Sequence, residues 1–405
     1  MLYGKLIAAP SIIYTQYNKF MALEQFISDL NSLAFFKEFT FSQNTFKPTA
    51  GGSELELADN IVWMGDDVTI LQLKERSPND VKDDASEARW FDDKVLGKGT
   101  RQVRDTLKFL ETNPVINVTN ERGHSFDIRG QELGTKTKIV VYLPGKIVPE
   151  IAKTTRHYVS RTGGFIHVLD ARDYLEICRT LRVPADIRDY FAYRQRLLES
   201  YASLAAPEPL IMGQYLSGDE MKLPSKDSYK YLLALKQKSS EFDLSPLLAN
   251  LHRQIELQSN PFDYYEILRQ FARLPRSGWK EAMTRLTYCI EAVKVQEFKP
   301  PTRFAWKDLS LGFVFVPMDP KLMEEKDFVE LMGRGLINFT MLHKHEQQLN
   351  CCVGVVIAKD GKDFLLNWCV MANPWEHNPE LDTRLKEGSP FREVKEKFIP
   401  RFNFD

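Results

Sequence analysis

The sequence has few cysteines and no strong bias of charge. Its five cysteines are odd in number and widely spread, and no CxxC pair suggests a zinc site. We therefore interpret them as reduced core residues. Lys plus Arg (54) nearly balances Asp plus Glu (55), so no overall field attracts nucleic acid and any such site must be a local patch.

Several familiar functional signatures are also missing. The chain contains no Walker-type loop, no GxSxG elbow and no internal repeat. No apolar run is long enough to span a bilayer, and the opening MLYGKLIAAPSIIYTQYNKF lacks the basic and long apolar regions of a signal peptide. These absences predict a cytoplasmic protein that makes no contact with a membrane.

The length of 405 residues predicts more than one domain, because it exceeds what a single hydrophobic core usually organises. Helices alternating with strands over residues 1–175 predict an α/β domain with a mixed sheet flanked by helices. Residues 176–228 are interpreted as a helical connector that ends in a polar stretch. Residues 229–405 predict a C-terminal α+β domain with a recognition, sensing or oligomerisation role, with helices over 229–256 and 319–347 among its elements.

The most informative segment is residues 58–76, ADNIVWMGDDVTILQLKER. Two apolar runs, 60–64 and 68–75, predict a β-hairpin with its turn within residues 65–67. Side chains alternate across a strand, so Gln72 and Lys74 share one face. Polar side chains on a buried strand cost free energy unless they are satisfied or used. The segment is therefore the first candidate for a functional site.

The position of Asp59 relative to that face depends on the turn. A two-residue turn at Asp66-Asp67 sets Asp59 opposite Lys74, whereas a three-residue turn slips the pairing by one residue. With the first turn, a carboxylate, an amide and an amine converge. Carboxylate and amide oxygens are ligands suited to Mg²⁺, and a nearby lysine can orient or deprotonate water or stabilise charge on phosphorus.

These residues give the segment a resemblance to the PD-(D/E)XK nuclease superfamily, in which an Asp at a strand edge precedes a strand carrying (Asp/Glu/Gln)-x-Lys. Asp59 and Gln72-Leu73-Lys74 match that motif, and the Gln variant resembles the branch of Mrr-like restriction endonucleases. The resemblance covers residues 15–170. The loop over 76–98 is longer and more acidic than the pattern, and no Pro precedes Asp59.

Two further positions fit the resemblance. Glu24 lies on the apolar face of a helix predicted over 17–38, and Gln102 lies on the helix that follows the motif strands. The family then implies that Asp59, Gln72 and the Leu73 carbonyl bind Mg²⁺ or Mn²⁺. It also implies that Lys74 activates water while Glu24 and Gln102 assist.

The resemblance implies a metal-dependent DNA endonuclease of bacterial restriction or anti-phage defence, acting as a homo-oligomer or with a partner defence protein. Its restriction-endonuclease-like sheet would occupy the N-terminal domain alone. A local basic cluster supports a DNA partner, since phosphates meet Lys and Arg side chains. The cluster consists of Lys98, Arg101, Arg104 and Lys108. An ordinary solvated helix face is the alternative interpretation.

Each site residue also has a structural interpretation. Lys74 could be a charge that protects an edge strand from aggregation, and Asp59 could simply begin a strand. Glu24 could lie at the rim of its helix, with Glu54 or Glu56 as the acid in its place, and Gln102 could be a surface glutamine. The whole domain could be a catalytically silent nucleic-acid-binding module or a structural subunit of a defence complex.

Two weaker patterns lie in the C-terminal half. His343, His345 and Glu346 occur together on a predicted helix, but residues two apart point to different sides, so we interpret them as a solvated helix end. A helix followed by a hairpin echoes the N-terminal half, and residues 367–369 fall roughly where Gln72-Leu73-Lys74 would lie. A degenerate copy of the first site is one interpretation of that echo.

Overall fold

The computed structural model describes residues 22–49, 51–80, 83–220, 222–238, 241–253, 262–361, 363–392 and 396–402. The chain divides into two compact units between Gln237 and Lys238. Residues 176–228, predicted as a connector, lie within the first unit, and the division falls a few residues after the predicted start of the C-terminal domain. Each unit is described by itself below.

The first unit combines helices with a mixed sheet. Its helices are α1 (Leu23–Ala34), α2 (Asp84–Trp90), α3 (Thr100–Thr112), α4 (Glu150–Thr154), α5 (Ala171–Leu181), α6 (Pro184–Ser200), α7 (Glu208–Leu216) and α8 (Tyr229–Gln237). A π-helical segment, Phe91–Gly99, joins α2 to α3. Short 3₁₀ turns cover Lys37–Phe39, Pro78–Asp80, Gly130–Glu132 and Lys226–Ser228.

The strands of this unit are β1 (Thr40–Ser42), β2 (Thr45–Phe46), β3 (Leu55–Glu56), β4 (Asn60–Met64), β5 (Asp67–Glu75), β6 (Ile116–Thr119), β7 (Ser125–Ile128), β8 (Lys136–Leu143), β9 (His157–Ser160) and β10 (Gly164–Asp170). Six of them form one sheet in the order β1-β4-β5-β8-β10-β9. β5, β8 and β10 run parallel, and the other pairs are antiparallel. The predicted α/β class, a mixed sheet flanked by helices, is confirmed.

The hairpin β4–β5 forms as predicted, but its register differs. Trp63 pairs with Val68 and Met64 with Asp67, so the turn is Gly65-Asp66. Gly65 adopts a positive φ of 66°, which costs glycine little and favours it at the first turn position. Continuing this register sets Asp59 opposite Gln72. The predicted pairing of Asp59 with Lys74 is therefore wrong, and the observed partner lies two residues earlier on β5.

Helix α1 covers the central part of the predicted helix 17–38, of which residues 17–21 lie outside the described residues. The apolar positions Leu23, Ile27 and Leu30 are buried as their spacing predicts. The helix ends early because Phe36 adopts a positive φ of 68°. At its start the Leu23 amide donates to Glu75 Oε2 at 3.0 Å, which ties α1 to the end of β5.

A hydrophobic core between α3 and one face of the sheet holds the hairpin in place. It contains Phe41, Ile61, Val68, Ile70 and Leu110 among its buried members. The helix approaches the sheet closely at its π-helical end. A Cβ at Gly99 would lie 2.9 Å from Val140 Cγ1, so a larger residue there would push this helix away from β8.

Helices α6 and α7 belong to the first unit through a buried polar network. Arg194 donates to Glu208 Oε1 at 2.7 Å, and its Nη1 lies 3.0 Å from His167 Nδ1 on β10. The Tyr190 hydroxyl also donates to Glu208 Oε1. The Arg194 charge lowers the pKa of Glu208 against the opposing effect of burial. A buried charge pair is tolerated where each partner is also hydrogen-bonded.

The second unit is built on a smaller sheet. Its helices are α9 (Ser245–Leu248), α10 (Asp263–Arg273), α11 (Arg276–Lys294), α12 (Phe328–Glu346) and α13 (Pro379–Glu387), with 3₁₀ turns at Leu251–Arg253, Lys307–Leu309 and Pro320–Glu324. Its strands are β11 (Thr302–Trp306), β12 (Leu311–Pro317), β13 (Cys351–Asp360) and β14 (Asp363–Ala372). The strand order is β11-β12-β13-β14, and β12 and β13 are parallel.

This arrangement confirms the predicted C-terminal α+β architecture while correcting two helices. The helix predicted over 229–256 is interrupted after Gln237, and its last residues, 254–256, lie outside the described part of the chain. The helix predicted over 319–347 begins as a 3₁₀ turn and becomes α-helical at Phe328. Across the described residues, no helix is both long and apolar enough to cross a membrane.

Candidate active site

The candidate site lies where β4 begins and β5 approaches its carboxyl end. Asp59 immediately precedes β4, while Gln72 and Lys74 lie on β5. β5 is flanked by β4 and β8, so it is an interior strand of the sheet. The structural interpretation of Lys74 as the guard of an edge strand is therefore wrong, and its burial needs another explanation.

Asp59, Leu73 and Lys74 come together despite the altered register. The Leu73 amide donates to Asp59 Oδ2 at 2.5 Å, and Lys74 Nζ lies 3.5 Å from the same oxygen. Lys74 Nζ also donates to the Leu73 carbonyl at 2.6 Å. Asp59 is only 8% exposed. The carboxylate and the ammonium group predicted from sequence to converge therefore do so in the structure.

Burial lowers the pKa of Lys74 below that of an ordinary lysine. The charge of Asp59 and its hydrogen bond oppose this shift, whereas the positive charge of Lys98 adds to it. A lysine with a lowered pKa is uncharged in a larger fraction of molecules at a given pH. Such a side chain is better suited to accept a proton from water than a fully solvated lysine.

Gln72 presents an unusual buried oxygen. The side chain is 3% exposed, and its Nε2 lies 3.4 Å from Thr106 Oγ1 on α3. Its Oε1 is buried and has no hydrogen-bond partner among the described residues, and Gln102 Oε1 is in the same condition. A buried polar atom without a partner costs about 1–3 kcal/mol. Two such oxygens near one carboxylate point to a missing electropositive partner.

A cavity of about 180 Å³ brings these groups together. Its lining includes Leu55, Glu56, Leu57, Ala58, Asp59, Gln72, Gln102, Asp105, Thr106 and Phe109. Of the residues predicted from sequence, Asp59, Gln72 and Gln102 line the cavity. Lys74 does not line it, but its Nζ contacts Asp59 Oδ2. Gln102 is half-buried at the cavity wall and is therefore not an ordinary surface glutamine.

Glu24 does not line the cavity. Its side chain is exposed and accepts a hydrogen bond from Gln43 Nε2 at 3.2 Å, so the predicted inward orientation is wrong. Glu24 follows the buried Leu23 in the first turn of α1, and one residue of helical rotation turns it toward solvent. Glu56 lines the cavity instead. Burial, then the charges of Asp59 and Glu24, raise its pKa.

The donor set suits a hard divalent cation. The Asp59 carboxylate and the two unpartnered amide oxygens are ligands of the kind that Mg²⁺ and Mn²⁺ accept, with water completing the coordination. Within the described ranges, no three His, Cys, Asp or Glu side chains are grouped so that they could hold a metal ion. The Leu73 carbonyl, predicted as a ligand, accepts from Lys74 Nζ, so this lysine would have to move for the carbonyl to bind a metal.

The predicted basic cluster is only partly a surface. Lys98, Arg101 and Lys108 are exposed on or next to α3. Arg104 is half-buried, and its Cγ lies so close to Gly163 that a Cβ there would approach it to 3.1 Å. The exposed members lie on the helix that carries Gln102. A phosphate held by these side chains would therefore lie near the cavity.

Two residues of the candidate site were either not predicted from the sequence or predicted only as an alternative. Thr106 contacts Gln72 and was not identified, although it lies four residues after Gln102 on α3 and therefore on the same helix face. Glu56 was named only as an alternative acid. The missed signal was helical spacing from an already suspected residue.

Comparison of the chain with protein-family models, curated proteins and solved structures finds no match.

The histidines of the second unit are not a solvated helix end. His343 is fully buried, with its Nε2 3.0 Å from the Phe304 carbonyl, and burial lowers its pKa to about 3. His345 is also buried, with its Nε2 2.8 Å from Asp382 Oδ1. The two imidazoles contact different elements, as their two-residue separation predicts. They pack the unit and do not form a shared site.

Proposed function

We propose that the first unit is a magnesium-dependent or manganese-dependent DNA endonuclease. The observation that carries this proposal is that Asp59 lines one cavity with Gln72, whose carbonyl oxygen has no partner among the described residues, and that Lys74 Nζ lies 3.5 Å from Asp59 Oδ2. The resemblance to PD-(D/E)XK nucleases of the Mrr-like branch supports the same chemistry. A role in restriction or anti-phage defence follows from that resemblance.

The residues have distinct roles in this proposal. Asp59 and Gln72 would hold the cation, with Gln102 as a further oxygen donor, and a cation held there would supply the charge that polarises a phosphate and lowers the pKa of water. Uncharged Lys74 accepts a proton from the attacking water as a new P–O bond forms. The P–O bond to the leaving sugar oxygen breaks, and that oxygen takes a proton from solvent. Lys98, Arg101 and Lys108 hold the DNA backbone.

The test compares full-length wild type with Lys74→Ala on plasmid DNA in Mg²⁺ or Mn²⁺. Cleavage is expected to fall by about 10²-fold or more in the variant, as for loss of a proton-transfer group. Lys138→Ala is the matched control, because burial also lowers the pKa of Lys138 on the adjacent strand β8, where Lys138 pairs with Ile70 and not with the end of β5 that carries Lys74. Equal cleavage by wild type and Lys74→Ala would contradict the proposed role of Lys74.

A silent nucleic-acid-binding module is the second candidate. It is favoured by the hydrogen bond from Lys74 Nζ to the Leu73 carbonyl, because this contact occupies an oxygen that the family resemblance assigns to the cation. Wild-type protein that binds DNA but leaves it intact in either metal would support this candidate. DNA binding unchanged in Lys74→Ala would be the expected companion result.

A further inference from the structure

The orientation of the Gln72 amide determines whether its oxygen or its nitrogen faces Thr106. An amide side chain can be turned by half a rotation with almost no change of shape, so its neighbours decide which end points where. The neighbour of Gln72 is Thr106, whose hydroxyl oxygen lies 3.4 Å from Gln72 Nε2. Thr106 is 1% exposed, so solvent does not compete for this contact.

The Thr106 hydroxyl has only one hydrogen, and its surroundings commit that hydrogen. Oγ1 lies 2.6 Å from the Leu57 carbonyl oxygen and 3.0 Å from the Gln102 carbonyl oxygen. Both carbonyls can only accept hydrogen bonds. The hydroxyl therefore donates to a carbonyl and can meet Gln72 only as an acceptor. The amide must turn its NH₂ group toward Thr106, which leaves Oε1 on the other side of the amide, where it has no hydrogen-bond partner among the described residues.

We propose that Thr106 is a positioning residue that holds the Gln72 carbonyl oxygen away from itself, available as a ligand for a divalent cation. This inference rests on the proposed function. It accounts for the buried Gln72 Oε1 that lacks a partner among the described residues. It also explains an amide at position 72, because a carboxylate there would have no hydrogen to donate to Thr106.

The first experiment reads the orientation without any metal. Full-length protein labelled with ¹⁵N-glutamine gives side-chain amide resonances, and that of Gln72 is assigned by its absence in Gln72→Met. In wild type and Thr106→Ser the Gln72 amide hydrogens are expected to exchange slowly with solvent. In Thr106→Val, which keeps the volume but removes the acceptor, exchange is expected to be about tenfold faster or more, because the protecting hydrogen bond is lost.

The second experiment measures Mn²⁺ affinity directly, from the electron paramagnetic resonance of the free ion. Thr106→Val is expected to bind Mn²⁺ about 10–100-fold more weakly, as when a residue that orients a metal ligand is removed. Thr106→Ser is expected to restore the affinity. At saturating Mn²⁺ the cleavage rate of Thr106→Val should approach that of wild type, whereas a general packing defect would lower it at every concentration.

The matched control is Thr112→Val on the same helix. The Thr112 hydroxyl also donates to a carbonyl four residues back, at 2.9 Å, but Thr112 is exposed and lies outside the cavity lining. This variant should change neither amide exchange nor Mn²⁺ affinity. Thermal unfolding of all variants checks that Thr106→Val is folded, and Thr106→Ala, which also removes the acceptor, tests the inference if it is not.

The outcomes separate this inference from the proposed function. Unchanged amide exchange and unchanged Mn²⁺ affinity in Thr106→Val overturn the inference, while wild-type cleavage of DNA still supports the nuclease. Wild-type protein that binds no Mn²⁺ overturns the metal site and the proposed function together. In that case faster exchange in Thr106→Val would still support the orienting contact, and unchanged exchange would overturn that as well.

Discussion

The two units each contain an antiparallel hairpin, and the two hairpins differ in whether their buried polar side-chain atoms have hydrogen-bond partners. β4–β5 of the first unit carries Gln72, whose buried Oε1 has no described partner. On β13–β14 of the second unit, no buried side-chain nitrogen or oxygen that the structure describes lacks one. A polar group that the fold leaves unsatisfied on an interior strand is a better indicator of chemistry than the hairpin itself.

The positions of the hairpins in their sheets also differ. The second strand of the first hairpin, β5, continues into a parallel pairing with β8. The second strand of the other hairpin, β14, is an edge strand, and the parallel neighbour belongs to β13 instead. Residues 367–369 therefore do not occupy the position of Gln72-Leu73-Lys74. The interpretation of this segment as a degenerate copy of the first site is wrong.

The largest expected effect comes from removing the acid of the first hairpin. Asp59→Asn should lower the rate of Mg²⁺-dependent DNA cleavage by about 10²-fold or more, because a lost metal ligand costs several kcal/mol of transition-state stabilisation. The measurement is the initial rate of plasmid nicking at saturating Mg²⁺. Asp363→Asn, an exposed acid at the start of β14, is the matched control and should cleave like wild type.

Glycine substitutions compare the packing of the two units. Gly354→Ala should destabilise the second unit by about 2–3 kcal/mol, because the added Cβ would press against Thr340 Oγ1 and lie 2.8 Å from Leu336 Cδ1 on α12. Gly99→Ala, whose added Cβ would lie 2.9 Å from a methyl group of the buried Val140, should cost about 1 kcal/mol. Urea unfolding followed separately for each unit measures both effects.

Gly333→Ala is the control for this pair. Gly333 lies on α12 with nothing within 4 Å of its added Cβ, so the substitution should stabilise the helix by about 0.5–1 kcal/mol. A loss of stability in this variant, as large as that in Gly354→Ala, would show that helix α12 tolerates no change for reasons other than contact with β13.

Charge reversal on α3 tests whether the first unit alone meets DNA. Arg101→Glu with Lys108→Glu should weaken DNA binding about tenfold near 0.1 M salt and reduce the slope of log affinity against log salt by about 2. Fluorescence anisotropy with a labelled duplex measures both quantities. The exposed Lys294 at the end of α11 provides the control, and Lys294→Glu should leave the slope unchanged.

The smallest effect is a pH dependence of stability. Because burial lowers the pKa of Lys74 below its ordinary value of 10.5, the folded protein releases this proton at a lower pH than the unfolded chain. Between the two pKa values the unfolded chain holds more protons, so the free energy of unfolding rises with pH. Lys74→Met should lack this rise in the pH range just below the ordinary lysine value of 10.5, as measured by urea unfolding. An identical rise in both proteins would show that Lys74 does not cause it.

Local features of the site could be predicted from the sequence. The hairpin and the shared face of Gln72 and Lys74 depend on alternation and a glycine-containing turn, and both were predicted correctly. The register was predicted wrongly, although a glycine at the first turn position favours the observed Gly65-Asp66 turn. Gly65 is therefore a local signal from which the observed register could have been predicted.

Features that depend on distant contacts could not be predicted in the same way. Helical spacing places Thr106 on the same face as Gln102, but its contact with Gln72 exists only because α3 packs over β5, and His343 likewise contacts the Phe304 carbonyl on the distant strand β11. Neither partner is close in sequence. At Glu24 the helix was predicted correctly from the spacing of its apolar residues. The direction of the Glu24 side chain still depended on where α1 begins.

The parallel pairing of β5 with β8 has a consequence for how the chain acquires its site. β4 and β5 are neighbours in sequence and can pair as soon as both have been synthesised, whereas β8 follows a long crossover that includes α2 and α3. Since non-local pairings form slowly, Gln72 must wait for that crossover before α3 covers it. A nascent chain that ends before residue 100 would carry the acid and the lysine without the wall that encloses them.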